Sequence, residues 1–317
     1  MKSDQAPVPV DPALVQARAE MLGWYSPYHF LRVLPAATQQ VLFGTGRASR
    51  FGTAEQAEVL PMAAGSGQWL LQQLSWDSAW FGTPVYKVFT GIFSPGADVL
   101  RAAATLRAEL AARGAFYAFS VVPAEDTVML QALSGAGWRL METRLTYYRS
   151  QLDTFDYARY PVRPANGAEA PILGAVAARA RNAYDRFHAD PWFGQARADA
   201  YLARYAENAV ANGLADTVLV PDLPGQLPDA FLAISDLAAD ARALGVGLSR
   251  VLLTAVGPAN RGWHVKLLAE TVHRAQAAGH EAVLMTTQAT NHAVFRSCEK
   301  LGFRLGSTSH VLACHGG

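Results

Sequence analysis

Between Arg250 and Gly279 the chain reads RVLLTAVGPANRGWHVKLLAETVHRAQAAG. Its β-branched and leucine-rich start predicts a buried strand running to Val256. A loop follows, and Val265, Leu268, Val272 and Ala275 fall on one stripe of a helix that begins near His264. A strand that empties through a loop into a helix N-terminus presents several backbone N–H groups and the positive end of the helix dipole, which together make a seat for a pyrophosphate. Other chemistry-bearing types are scattered. Six of the eight histidines lie after residue 263, at 264, 273, 280, 292, 310 and 315, without the compact His-x-x-x-His or Cys-x-x-Cys pairs that zinc sites use, so no metal is expected. Gly65-x-Gly67 lacks the third glycine and the preceding strand of a dinucleotide-binding turn.

The elements that must position this seat occur twice. SGAGWRLMET (134–143) and EKLGFRLGST (299–308) share a Gly-aromatic-Arg-Leu-x-x-Thr phrase, and Gly137 and Gly302 are 165 residues apart. So are Gly114 and Gly279, each of which ends an Ala-rich helical pattern. At the same offset AFYAFSVV (115–122) lies on HEAVLMTT (280–287), both reading as short buried strands, and Asp126 falls on Asn291. Each half therefore predicts helix, Gly stop, strand, polar turn, helix, Gly-aromatic and final strand, as expected of a copied supersecondary unit. Arg261 falls on Gly96 in FSPGADVLRAA, where no Arg-Gly pair follows, so only the second half is expected to hold an anionic ligand. Two domains follow from this reading. Residues 1–150 hold an N-terminal extension and a degenerate copy, and residues 160–317 hold the copy with the seat, separated by a linker around QLDTFDYARYPVRPANGAEAP. The extension predicts a helix near 11–22 and a less regular stretch containing SPYHFLRVLP. Trp69, Trp76, Trp80, Phe81 and Tyr86 form an aromatic group that reads as domain core rather than as a base- or sugar-stacking platform.

The totals constrain the partner. In 317 residues, 27 Lys and Arg nearly balance 26 Asp and Glu, which gives no electrostatic case for nucleic acid or an anionic membrane. A small molecule is the expected partner, and the oligomeric state stays open, a homodimer included. Two cysteines, Cys298 and Cys314, fit a reducing cytoplasm better than a disulfide-built secreted domain. The first residues lack the apolar core of a signal peptide, and the most apolar later tract is broken by Asp236, Asp240 and Arg242. A soluble, cytoplasmic protein is expected.

Val256-x-Pro258-x-x-Arg261-Gly262 resembles the acyl-CoA motif of the GCN5-related N-acetyltransferase (GNAT) superfamily, and TTQATNHAVFRSCEKLGF (286–303) resembles the strand, loop and helix that follow it there. Thr287-Gln288-x-x-Asn291, RFHADPWF (186–193) and WDSAWFGTPV (76–85) resemble the nucleotide-sugar group typified by dTDP-fucosamine acetyltransferase. The resemblance implies a mixed α/β fold with tandem GNAT-like halves, mostly antiparallel sheets, and a splayed parallel strand pair at the cofactor cleft of the C-terminal half. It implies that the backbone at Ala255 and Val256 pairs with the pantetheine arm of acetyl-CoA. Arg261, Gly262, Trp263, His264, Val265 and Lys266 would cradle the pyrophosphate, and Asn291 would bond the arm from the far side. The implied reaction is acetyl transfer from acetyl-CoA to a small amine, with a nucleotide-linked amino-deoxysugar favoured. The rivals are an amino acid or other metabolite amine, and a non-catalytic acyl-CoA- or partner-binding paralogue.

Two departures bear on this. The superfamily's alternating glycines are replaced here by Trp263, His264 and Lys266, although backbone N–H groups survive any substitution but proline, and Lys266 adds a charge suited to phosphate. The tyrosine that many members carry seven residues after the Asn is Cys298, whose thiol, with an ordinary pKa of about 8.5, is the candidate acid for the departing thiolate; the same residue also reads as core packing. His188 and Asp190 are the candidates for handling the acceptor amine, and Arg186, with Phe187, for binding a sugar-nucleotide diphosphate. The same stretch also reads as a helix-boundary turn.

Overall fold

A computed structural model describes residues 8–53, 57–62 and 66–316; Gly65 of the Gly65-x-Gly67 pattern and the first seven residues lie outside them. In chain order the elements are α1 (Pro12–Ala17), α2 (Ala19–Trp24), α3 (Ala36–Gln39), α4 (Thr45–Ser49), β1 (Ala57–Pro61), β2 (Gly67–Gln73), α5 (Ser75–Phe81), β3 (Val85–Phe93), α6 (Val99–Ala112), β4 (Phe116–Pro123), α7 (Thr127–Gly135) and β5 (Arg139–Ser150). There follow β6 (Val162–Pro164), α8 (Ala170–Arg179), α9 (Arg186–Ala189), α10 (Gln195–Ala211), β7 (Thr217–Pro221), β8 (Ala230–Ser235), α11 (Ala238–Leu244), β9 (Leu248–Val256), α12 (Trp263–Ala277), β10 (Ala282–Gln288), α13 (His292–Lys300) and β11 (Arg304–Gly316). Among the described residues no helix is long and apolar enough to cross a membrane.

The chain forms two compact units, Met1–Thr143 with Thr308–Gly317, and Arg144–Ser307. This corrects the division expected at 150 and 160, and the cause lies in the strands that follow the two Gly-aromatic phrases. The far end of β5, Arg144–Ser150, pairs with β10 in the second unit, whereas Ser309–Gly316 of β11 pairs with β4 in the first. Each copy thus gives the far end of its final strand to the other unit. The linker is corrected with it: β6 pairs with β7, Leu152 and Phe155 are buried in the core of the second unit, and Glu270 accepts hydrogen bonds from Arg159 and the Tyr160 amide.

In the first unit the sheet runs β1-β2-β3-β4 and ends on β11, antiparallel except for β3 beside β4. Trp69, Leu106, Phe116 and Trp138 lie in one of its cores. A second core joins Leu14, Leu22 and Tyr25 of the N-terminal helices to Phe89 and Ile92 of β3, so the extension is a helical cover packed on the sheet. Of the aromatic group, Trp69, Phe81 and Tyr86 are buried as expected, but Trp76 and Trp80 are 40% and 37% exposed and stack on each other at 5.9 Å between ring centroids. They sit one turn apart on a short helix, which presents both on its outer side.

The second unit has the end of β5 followed by β10-β9-β8-β7-β6, antiparallel except for β9 beside β10. Both Gly-aromatic phrases close a helix in the same way. Gly137 and Gly302 take left-handed φ of 84° and 71°, and the next amide returns to the helix, Trp138 to the Leu133 carbonyl at 3.0 Å and Phe303 to that of Cys298 at 2.9 Å. A side chain at either glycine would strain this Schellman turn.

Candidate active site

The repeat is sharpest where the parallel strands stop pairing. In the second unit β9 and β10 pair over Leu248–Val251 and Ala282–Met285 only. The next residue, Leu252, is a bulge: Ala233 of β8 faces Leu253, and Ile234 faces Val251. The first unit repeats this, with parallel pairing over Val85–Val88 and Tyr117–Ser120 and a bulge at Phe89. A bulge bends its strand and interrupts the ladder, so each parallel pair parts just beyond it. The corresponding bulges are 252 − 89 = 163 residues apart, whereas the last paired residues of β4 and β10 are 285 − 120 = 165 apart. The second copy therefore has two extra residues between its strands, in the stretch that holds the loop Gly257–Gly262.

In the second unit the gap is a cleft of about 170 Å³. Val251 to Ala255 of β9 form one wall and Met285 to Gln288 of β10 the other; Asn291 and Val294 follow, and Ala177, Ala180, Arg181, Asn182, Asp185 and Leu202 close it. Asn182 donates to the Gln288 side chain at 2.9 Å. Beyond β9 the loop is held from β8's side: the Asp229 carbonyl accepts the Gly257 amide at 2.6 Å, its carboxylate accepts the Ala259 amide at 2.9 Å, and the Asn260 side chain accepts the Asp229 amide at 3.0 Å. Gly262 then adopts φ 88° as the N-cap of α12, with open space where a Cβ would stand and no side chain capping the helix. The first amides of α12 are left to an anion or solvent.

The candidate residues fall in three groups. Ala255 and Asn291 line the cleft, Val256 ends β9, and Arg261 and Gly262 are exposed at the loop. Asn291 also caps α13, accepting from the Val294 amide at 3.4 Å. Trp263 is buried in the core, Val265 packs against it, and Lys266 holds its ammonium 4.6 Å from the Trp263 ring centroid and 5.4 Å from that of Tyr160. The His264 ring is buried, which pushes its pKa down to about 4 and keeps it neutral. Neither Trp263 nor His264 is among the residues lining the cleft.

Cys298 is fully buried in the core that also holds Tyr147, Val294 and Phe303; Val294, one turn before it on α13, lines the cleft and Cys298 does not, and burial pushes its thiol up to about 12. Arg186 is buried with its guanidinium 4.2 Å from the Phe187 ring centroid, and Phe187 in turn packs on Phe193 and Tyr201. Asp190 is buried and accepts the Trp192 amide at 3.1 Å. None of these three lines the cleft. His188 lies between two carboxylates, Asp185 at 2.8 Å and Asp199 at 3.1 Å. Burial disfavours its charged form, but the hydrogen bonds and charges of Asp185 and Asp199 outweigh that, and its pKa lies above the ordinary histidine value.

Sequence reasoning passed over Asp185, Arg181 and Asn182. Asp185 begins the same DRFHADP stretch, and an acid immediately before a short helical turn is an N-cap signal.

In the first unit the equivalent places are taken. Asp98 caps α6, its carboxylate accepting the Arg101 amide at 3.0 Å where Gly262 leaves α12 open. Asp126, opposite Asn291 in the repeat, pairs with Arg18 of the helical cover and accepts from the Tyr25 hydroxyl at 2.6 Å, while Thr90 beyond the β3 bulge donates to Tyr25 at 3.0 Å.

No protein-family profile and no curated protein matches the chain. Solved structures do match. A GCN5-related N-acetyltransferase from Sphaerobacter thermophilus superposes with a TM-score of 0.57 at 12% identity, over 97% of this chain and 94% of that one. A tandem GNAT protein from the clavulanic acid biosynthesis pathway gives 0.50 at 16% identity, over 98% of both chains. The fold is a tandem GCN5-related N-acetyltransferase fold. A GCN5-related glucosamine N-acetyltransferase region of a fungal multi-domain β-N-acetylglucosaminidase is similar to 95% of this chain, with a TM-score of 0.56 at 14% identity over 37% of that chain. Within this GNAT fold the parted β9–β10 pair and the loop into α12 belong to the second unit, and the first unit carries the same parting under its helical cover.

Proposed function

We propose that the second unit is an acetyl-CoA-dependent N-acetyltransferase domain acting on a compact amine. The observation that carries this is the parting of β9 and β10 past the Leu252 bulge into a polar-lined cleft, continuous along the chain with a helix start that no side chain caps. Bound acetyl-CoA would supply an acetyl thioester; the acceptor ammonium would give up one proton, its neutral nitrogen would form the carbon–nitrogen bond as the carbon–sulfur bond breaks, and the nitrogen's second proton would pass to the departing thiolate, releasing coenzyme A. The free edge of β9 would hold the pantetheine arm, the first amides of α12 with Arg261 the pyrophosphate, and Asn291 the opposite side of the arm. Holding the amine beside the thioester in the cleft supplies much of the rate by orientation alone.

The cleft supports a compact amine over a nucleotide-linked sugar. A diphosphate calls for cations, and among the described residues the lining has one, Arg181, already engaged with Asp199 at 3.1 Å, while Arg186 packs among aromatic rings. Thermal unfolding with acetyl-CoA at roughly a hundred times its Kd is expected to shift Tm up by about 5 °C, and calorimetry to count one coenzyme per chain. No shift removes the coenzyme reading; a shift without acetyl transfer to any amine leaves a non-catalytic acyl-CoA-binding protein.

The loop's own scaffold gives a second expected result. Asp229→Ala removes the acceptor of the Ala259 amide and the partner of Arg179, and should weaken acetyl-CoA affinity about tenfold, the worth of one charge-assisted hydrogen bond. Titration calorimetry of the folded variant reads this directly.

A further inference from the structure

Among the described residues, Asp185 is the one acidic residue that lines the cleft. Its surroundings fix its orientation. One carboxylate oxygen, Oδ1, accepts the Phe187 amide at 2.8 Å and the His188 amide at 3.0 Å, and the other, Oδ2, meets His188 Nδ1 at 2.8 Å. A carboxylate offers about four acceptor positions, so these three bonds leave one. The imidazole that holds Oδ2 is held in turn: His188 Nε2 lies 3.1 Å from Asp199 on α10, and Asp199 also pairs with Arg181 at 3.1 Å. His188 has a side chain only 4% exposed and is absent from the lining, so it meets the cleft through Asp185. The row Arg181–Asp199–His188–Asp185 alternates in charge when the imidazole is protonated. Its terminal carboxylate is a fixed acceptor facing a cleft walled by Leu252, Leu253, Thr286 and Gln288.

We propose that Asp185 anchors the ammonium form of the acceptor amine through its remaining acceptor position, and that His188 is a positioning residue that holds the Asp185 carboxylate in place. The inference rests on the acetyltransferase reading of the cleft. It assigns the acceptor to compact primary amines that arrive protonated, because a carboxylate with one open acceptor site favours an N–H donor carrying positive charge. Asp190, five residues on, is 1% exposed, accepts the Trp192 amide within its own turn and does not line the cleft. The preorganisation has a chemical use: an anchor whose oxygens are fixed by three donors holds the nitrogen at one point beside the parted strands, which is where orientation contributes most to rate.

The test is thiol release from acetyl-CoA with glucosamine, glycine and putrescine as probe amines, read as separate KM values for amine and coenzyme. The wild type is expected to release thiol with at least one of them. Asp185→Asn is expected to raise the amine KM about tenfold or more and leave the acetyl-CoA KM and the acetyl-CoA-induced Tm shift unchanged, and Asp185→Glu to recover part of the loss. His188→Gln, whose amide can still donate to Asp185, should fall between the wild type and His188→Ala in amine KM. Unchanged amine KM in Asp185→Asn, or an equal rise in both KM values, overturns the anchor. So does a wild type that binds acetyl-CoA yet releases no thiol with any of the three amines. A wild type that shows no Tm shift with acetyl-CoA fails earlier, at the reading on which the anchor rests.

Discussion

Replacing Asp126 by alanine is expected to remove about 3–5 kcal/mol of stability, because it strands the Arg18 guanidinium in the interior of the first unit. The pair is well inside: the Asp126 side chain is 1% exposed and that of Arg18 12%. Asp126 also accepts from the Tyr25 hydroxyl and from the Met129 amide at the start of α7, so the substitution removes a helix cap along with an ion-pair partner. Burial and the neighbouring carboxylate both push the Tyr25 pKa upward, so the phenol stays protonated and keeps donating throughout the ordinary pH range. Chemical denaturation with the m-value held constant measures the loss. The companion Arg18→Met separates the two contributions: it removes the charge but keeps the Tyr25 bond and the α7 cap, and should cost distinctly less than Asp126→Ala. Equal costs would mean that loss of the ion pair, which both variants share, sets the penalty and that neither the cap nor the stranded cation adds to it. In the second unit the same place in the repeat holds Asn291, which is neutral, caps α13 and lines the cleft. The first copy therefore spends on internal cohesion the position that the second leaves facing a ligand.

What could be read from the sequence was what is local. The glycine stops at Gly137 and Gly302, the strands read at 115–122 and 280–287, and the strand–loop–helix around Gly262 all rest on neighbouring residues, and the structure has each of them, the two strands at Phe116–Pro123 and Ala282–Gln288. The splayed parallel pair followed from resemblance, and the bulge that produces it, at Leu252 and at Phe89, carries no mark in the sequence, since both residues look like any other strand residue. The exchange of final strands was illegible for a related reason. β5 and β11 follow the same phrase with similar alternation, and nothing in either names the sheet edge it will meet. The linker misread came from composition: prolines and small residues in 151–171 suggested a spacer, while Leu152 and Phe155 were the residues that decided its burial. Within DRFHADP, Asp185 and Asp190 are chemically alike, and only the turn between them sends the first into the cleft wall and the second into a cap. Cys298 shows the limit of reading a role from spacing. Its helix position is as expected, one turn after the cleft-lining Val294, and what the spacing did not carry is the burial that pushes the thiol up to about 12.

Gly262→Asp is expected to abolish measurable acetyl-CoA binding, with Gly262→Asn losing much less. The argument comes from the comparison between the two copies. α6 of the first unit starts on Asp98, whose carboxylate occupies the helix N-terminus and satisfies the Arg101 amide; α12 starts on Gly262, with nothing within 4 Å of where a Cβ would be. Aspartate and asparagine are both among the residues that tolerate a left-handed φ such as the 88° found here, so the two variants carry similar backbone cost and similar bulk. They differ in charge. A carboxylate about 4 Å from a pyrophosphate oxygen repels it by about 4 kcal/mol at the effective dielectric of a protein surface, roughly a thousandfold in affinity. It also competes for the amides the phosphate would use. Added salt should return part of the loss in the aspartate variant and none in the asparagine variant, since screening acts only on the charge. Titration calorimetry with acetyl-CoA at low and high ionic strength makes the comparison. Two variants of equal affinity would place the pyrophosphate away from the start of α12, and with it the coenzyme would lose the seat on which the reading of this unit depends.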